Sequence, residues 1–197
     1  MITKLHYLLE YQPFAMESRG GFCYTLFWDI RNPPLSSARC IYPHHHSLTH
    51  EEFSTPATQP PVTRLQISCG VFPHDWPIHV HNRHGVTVKD VLEAIYNCLQ
   101  TQYTSDEFNT LCQKQRSRIM DVFNARVQVS HHPRQTWDKG MKRIDCLLQH
   151  SFFGGLSIAP SIRTGNNGPI MDGCILSLRR AHQPQFSAAH LIPASLH

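Results

Sequence analysis

No run of ~18 apolar residues occurs in this 197-residue chain, so an ordinary membrane-spanning helix is excluded. CxxC spacing is missing as well. The seven cysteines (Cys23, Cys40, Cys69, Cys98, Cys112, Cys146 and Cys174) are odd in number and scattered. Zinc-ribbon and thioredoxin chemistry therefore lack support. Free thiols, packed as small hydrophobes in the reducing cytosol, are the expectation. The opening residues, MITKLHYLLEYQPF, carry Glu10 and no long apolar core or small-residue cleavage site, which argues against a secretory signal.

Catalytic signatures are equally scarce. The chain contains no HExxH, no HxE…PCxxC, no GxSxG, and neither a Walker loop nor a dinucleotide fingerprint. No cofactor is expected, and the chemistry leans away from an enzyme. Charged residues make up only 16%, with a net charge of +4. RSR and LRR are too short for a nucleic-acid stripe, and no aromatic RNA-binding signature accompanies them. Neither nucleic acid nor membrane is expected as a partner.

What the chain does have is histidine, fifteen residues of it, and enough length for one substantial core. Hydrophobic residues at 41% and a mean hydropathy of −0.33 fit a globular protein with loops. FCYTLFWDI, residues 22–30, reads as a strand ended by NPPLSS. Residues 43–61, dense in proline, histidine, serine and threonine, read as surface loop. TRLQIS and WPIHVHN alternate and can pair as an antiparallel hairpin. Trp76, Ile78 and Val80 then face inward, with His79 and His81 outward.

Two helices are expected next. Val88, Val91, Leu92, Ile95 and Leu99 recur at helical spacing, with Thr87 and Asp90 as cap residues. TSDEFNTLCQKQRSRIMDVFNAR opens with a T-x-x-E capping box, Thr104 and Glu107. MKRIDCLL and CILSLRR read as strands flanking a long glycine- and asparagine-rich loop, GGLSIAPSIRTGNNGP. The expected fold is α+β: an antiparallel sheet of four to five strands with two consecutive helices on one face. Residues 1–182 form the single domain, and 183–197 a flexible tail.

These stretches, taken in order, resemble a fungal domain-of-unknown-function family common in mushroom-forming species. The resemblance rests on LHYLLEYQPF, WDIRNPP, PATQPP, WPIHV, GVTVKDVLEAIY, Arg126 ending the second helix, KRIDCL and FGGLS. It runs from about Leu5 to Leu178. The chain departs from the family pattern in its tail and in extra histidines at 44–46, 131 and 132. The resemblance implies a fold and a lineage, and no activity.

Three sets of residues are candidates for chemistry. His79 and His81, at i and i+2 of one strand face, can share a metal, with His84, His74 or Asp75 as a third ligand. The competing reading, and the favoured one, is an exposed strand face. His44, His45 and His46 read as a loop tract with adventitious metal affinity. Arg126, Arg143 and Asp145 are the most interesting polar set. The apolar stripe of the second helix lands on Arg126, and a strand over 141–148 puts Arg143 and Asp145 on one face. They form either an internal ion pair or an anion- or peptide-binding pocket. Trp28 and Asp29 read as core and turn. The expected role is a non-catalytic binding or scaffold module for protein or peptide; the alternative is a metal-dependent or hydrolytic enzyme at His79 and His81.

Overall fold

In the computed structural model, residues 2, 4–12, 25–41, 45–163 and 170–180 are described. The alternating runs pair as their periodicity requires. β6 (Arg64–Ser68) and β7 (Ile78–His81) are antiparallel, with Leu65 opposite Val80 and Gln66 opposite His79. Leu65, Ile67, Ile78, Val80 and Trp76 are buried, while His79 and His81 are exposed. β8 (Phe152–Arg163) and β9 (Ile170–Arg179) complete a four-stranded sheet in the order β7-β6-β9-β8.

The sheet is mixed. β9 runs parallel to β6, where an all-antiparallel sheet was expected. β8 also corrects the sequence reading, because the glycine-rich stretch expected as loop is strand as far as Arg163. Residues 164–169 lie outside the described residues. Local propensity is overridden here by pairing with β9 along the strand and, at its start, on the other edge as well. On one side is β9. On the other, the Leu156 amide donates to Leu9 O, the Tyr11 amide to Leu156 O, and the Phe153 amide to Trp28 O. Gly155, at φ +112°, lets the Tyr11 backbone approach: a Cβ there would stand 2.5 Å from Tyr11 Cα.

The N-terminal part contributes small elements: β1 (Lys4–Leu5), β2 (Leu26–Phe27), α1 (Pro34–Ser37), β3 (Arg39–Cys40), β4 (His46–Ser47), α2 (His50–Ser54) and β5 (Thr58–Gln59). β1 pairs with β5, and β2-β3-β4 form a three-stranded sheet. The surface loop expected over 43–61 thus holds a helix and two strands, and within 25–30 the strand is confined to Leu26–Phe27. Trp28 is fully buried, its indole N–H donating to Asn32 O, and Asp29 turns the chain with Arg31 clamped on its carboxylate.

α3 (Val88–Gln100) buries the expected stripe completely. Thr87 and Asp90 close a reciprocal capping box, and the Asn82 amide adds a hydrogen bond to Asp90. The second helix is broken in two. Thr104 and Glu107 cap a short α4 (Ser105–Asn109), and α5 (Gln113–Gln128) starts afresh after Cys112. Leu111 is buried at the break and anchors it to the core. α6 (Pro133–Asp138) follows, with proline in its first turn. The expected strand over 141–148 is instead a 3-10 helix, Arg143–Leu147. α3 lies against β7, and α5 reaches the core through this 3-10 segment. No helix of the described residues is long and apolar enough to cross a membrane. The tail from 183 lies outside the described residues.

Candidate functional site

The 3-10 helix decides how the three candidate residues meet. At three residues per turn, positions i and i+2 point roughly 120° apart, so Arg143 and Asp145 diverge where a strand would have aligned them. Asp145 turns inward, with 1% of its side chain exposed. Arg126, from the last turn of α5, grips it with two parallel hydrogen bonds: Nε to Oδ1 and Nη2 to Oδ2, both 2.8 Å. The Lys142 amide adds a third bond to Oδ2 at 2.9 Å, and Arg126 Nη2 also donates to Gly140 O. The carboxylate is therefore paired and hydrogen-bonded, as a buried charge must be.

Arg143 belongs to a different cluster. Its guanidinium lies over the Trp76 ring, 4.6 Å from the centroid, and stands 3.4 Å from Glu107 Oε1. The Trp76 indole donates to the same Oε1 at 2.7 Å, while Oε2 receives the Thr104 amide and hydroxyl. Burial works to raise the Glu107 pKa, but the bonds from Thr104 and Trp76 and the charge of Arg143 outweigh it and hold the carboxyl below its usual range. Tyr103 packs edge-on against both Trp76 and Phe108, and its hydroxyl meets His74 Nε2 at 2.6 Å. Burial pushes the Tyr103 hydroxyl up, and pushes the neighbouring Cys146 thiol up to about 12. Both stay protonated at neutral pH, so Cys146 is a poor nucleophile.

His79, His81 and His84 are not among the groups of three ligand-type residues whose atoms converge in the described residues. His79 and His81 stand on the outer face of β7. His84, also exposed, accepts a hydrogen bond from Arg83 Nε. His74 is engaged by Tyr103, and Asp75 is exposed. Among the described residues, one group of three does bring ligand-type atoms within 4.8 Å of one another: Cys40, His46 and Glu52. Cys40 and His46 are cross-strand partners in β3 and β4, which sets their side chains on one face. Glu52 sits three residues after Thr49, the N-cap of α2, and its carboxylate is fixed by the Thr49 amide at 2.8 Å. His46 Nε2 lies 3.0 Å from Glu52 Oε1. Sequence reading assigned His46 to a loop tract. The signal that could have found the cluster is the T-x-x-E pattern of Thr49 and Glu52, the same device seen at Thr104 and Glu107.

The α5–α6 corner carries the other notable surface. Trp137 and Val129 are 56% and 83% exposed. The Trp137 ring leans on Phe123 at 5.3 Å, and the Arg126 guanidinium stands 5.2 Å from that same Phe123 ring. Ser130 and Thr136 hydroxyls close the turn at 2.7 Å.

Neither the curated proteins nor the solved structures include a match to this chain. The sequence model of one family does match, over residues 26–168. With some three-quarters of its length covered, the chain belongs to DUF6699, a family of unknown function.

Proposed function

We propose that this chain is a non-catalytic binding module that recognises an acidic protein or peptide segment at its α5–α6 corner. The observation that carries the reading is Trp137, a large aromatic side chain more than half exposed, yet packed against Phe123. Tryptophan is among the residues in which binding hot spots are enriched. Charge supplies the partner's chemistry. Residues 113–142 hold seven basic and two acidic side chains, a net charge of +5, against +4 for the whole chain. A partner presenting an apolar side chain beside carboxylates fits that corner. Arg126 and Asp145 then act as supports, fixing the end of α5 behind Phe123, while Arg143 braces Trp76.

The cleft between Leu8, Leu26 and Gly155 offers ≈20 Å³, room for about one water, whereas small-molecule sites occupy ~300 Å³ or more. Recognition at a surface fits these dimensions better than capture of a metabolite there. Cys69, Cys98, Cys112, Cys146 and Cys174 carry free thiols, which supports work in a reducing compartment, the cytosol. The ordered run of motifs supports a fungal, mushroom-type lineage within the family.

Peptides selected from a random display library against the whole chain test the reading. The selected sequences are expected to combine Asp or Glu with an aromatic or aliphatic residue, and to bind more weakly as salt rises. Trp137→Ala should weaken them about 30-fold, the effect of losing a hot spot of ~2 kcal/mol. Equal binding to Trp137→Ala, or tighter binding of an oligonucleotide than of any selected peptide, refutes it.

A further inference from the structure

The geometry points to a zinc site formed by Cys40, His46 and Glu52, tying the β3–β4 hairpin to the first turn of α2. One thiolate, one imidazole and one carboxylate form a borderline-soft donor set suited to Zn²⁺. Two features mark the site as built. Cross-strand pairing of Cys40 with His46 fixes two ligands on one face. The capping box fixes the third: Thr49 holds Glu52 Oε2 with its amide and hydroxyl, and His46 Nε2 stands 3.0 Å from Oε1 and 3.1 Å from Oε2. A ligating carboxylate held by hydrogen bonds behind it is the usual outer shell of a metal site.

The spacing also fits. Ligands ~2.0–2.3 Å from zinc in a tetrahedron stand roughly 3.3–3.6 Å apart. The imidazole–carboxylate pair is at 3.0 Å, and the widest separation in the trio stays within 4.8 Å. Closing onto the ion needs side-chain shifts of about an ångström. Exposure grades across the site. Cys40 is 1% exposed, the Glu52 side chain 19% and the His46 side chain 37%, and the half-exposed Tyr7 brings its hydroxyl to 3.4 Å from Glu52 Oε1. An ion enters from the His46 and Tyr7 side and keeps one position for water. On binding, the Cys40 thiol gives its proton to solvent and the imidazole adopts its Nδ1–H tautomer, so Nε2, Sγ and Oε1 each donate a pair to the metal.

The test uses untagged full-length chain stripped with a chelator, then titrated with zinc alone against a competing chromophoric chelator. Cobalt(II) serves as the spectroscopic probe. One equivalent of zinc should bind, and the cobalt form should show a thiolate charge-transfer band with the intense visible bands of a tetrahedral site. Cys40→Ser should abolish the charge-transfer band. His46→Gln and Glu52→Gln should each weaken zinc by ~100-fold or more, since loss of a mere supporting residue costs ~10–100-fold. Circular dichroism without metal separates loss of the site from loss of the fold, and His46→Gln, at a half-exposed side chain, remains decisive if Cys40→Ser misfolds. The double variant His44→Asn/His45→Asn should bind as the parent does. Failure to bind one equivalent overturns the proposal. So does undiminished binding by His46→Gln, or loss of binding in His44→Asn/His45→Asn, which would assign the metal to the histidine tract.

Discussion

Replacing Arg126 by methionine keeps most of its apolar length but leaves the Asp145 carboxylate buried with one backbone donor in place of three hydrogen bonds. Breaking a buried pair from one side costs ~3–5 kcal/mol, because the remaining charge is left uncompensated. Asp145→Asn is expected to cost less, about 1–3 kcal/mol. Arg126 keeps 26% of its side chain exposed and can turn its head to water, whereas Asp145, at 1%, cannot. For a domain of this size 1 kcal/mol moves Tm by ~2–4 °C, so Arg126→Met should lower Tm by roughly 6–20 °C. The double variant removes both charges together and should recover about 0.5–3 kcal/mol relative to the sum of the singles. Thermal and denaturant unfolding of the parent, both singles and the double closes the cycle. Additive losses, within ~0.5 kcal/mol, refute the coupling and mean that Lys142 and Gly140 hold Asp145 and Arg126 independently.

Two further outcomes follow from the same structure. Gly155→Ala should be severely destabilising: φ of +112° already carries ~1–3 kcal/mol of strain for an alanine, and its Cβ would collide with the Tyr11 backbone. Faster proteolysis near residues 9–11 in the variant would report release of the N-terminal segment, and a parent-like Tm and digestion pattern would refute the close approach. Glu107 has a folded-state pKa below its ordinary 4.5, so its stabilising contribution is complete above that value and is lost as pH falls through the folded value. The Tm gap between parent and Glu107→Gln should therefore be widest at neutral pH and shrink below about pH 4.5, and a gap that stays constant with pH contradicts the assignment.

Much of the fold was legible because it depends on spacing along the chain. The period-two alternation of 64–68 and 76–81 determined which side chains are buried and left His79 and His81 in solvent. The period of α3 and the reciprocal caps at Thr87 and Thr104 are likewise properties of residues three or four apart. So was the need of Arg126 for an acidic partner, since a charge at the end of an apolar stripe must find one, and Asp145 is that partner.

Only tertiary structure decided the rest. Residues 152–163 contain two adjacent glycines and a proline, and became strand because β9 pairs along them and the N-terminal part pairs with Phe153 and Leu156 at their start. The parallel register of β6 with β9 joins residues more than a hundred positions apart, which no local period encodes. Residues 143–147 alternate like a strand, yet Ile144, Cys146 and Leu147 are buried together as a 3-10 turn, and that curl sent Arg143 to Trp76 instead of Asp145. The Cys40–His46–Glu52 cluster depends on a short hairpin pairing and a helix cap packing together, a conjunction that no single local period announces. Sequence periodicity acts through covalent spacing over a few residues. Which distant segments share a sheet or a cluster is determined by burial and backbone hydrogen bonding across the whole core.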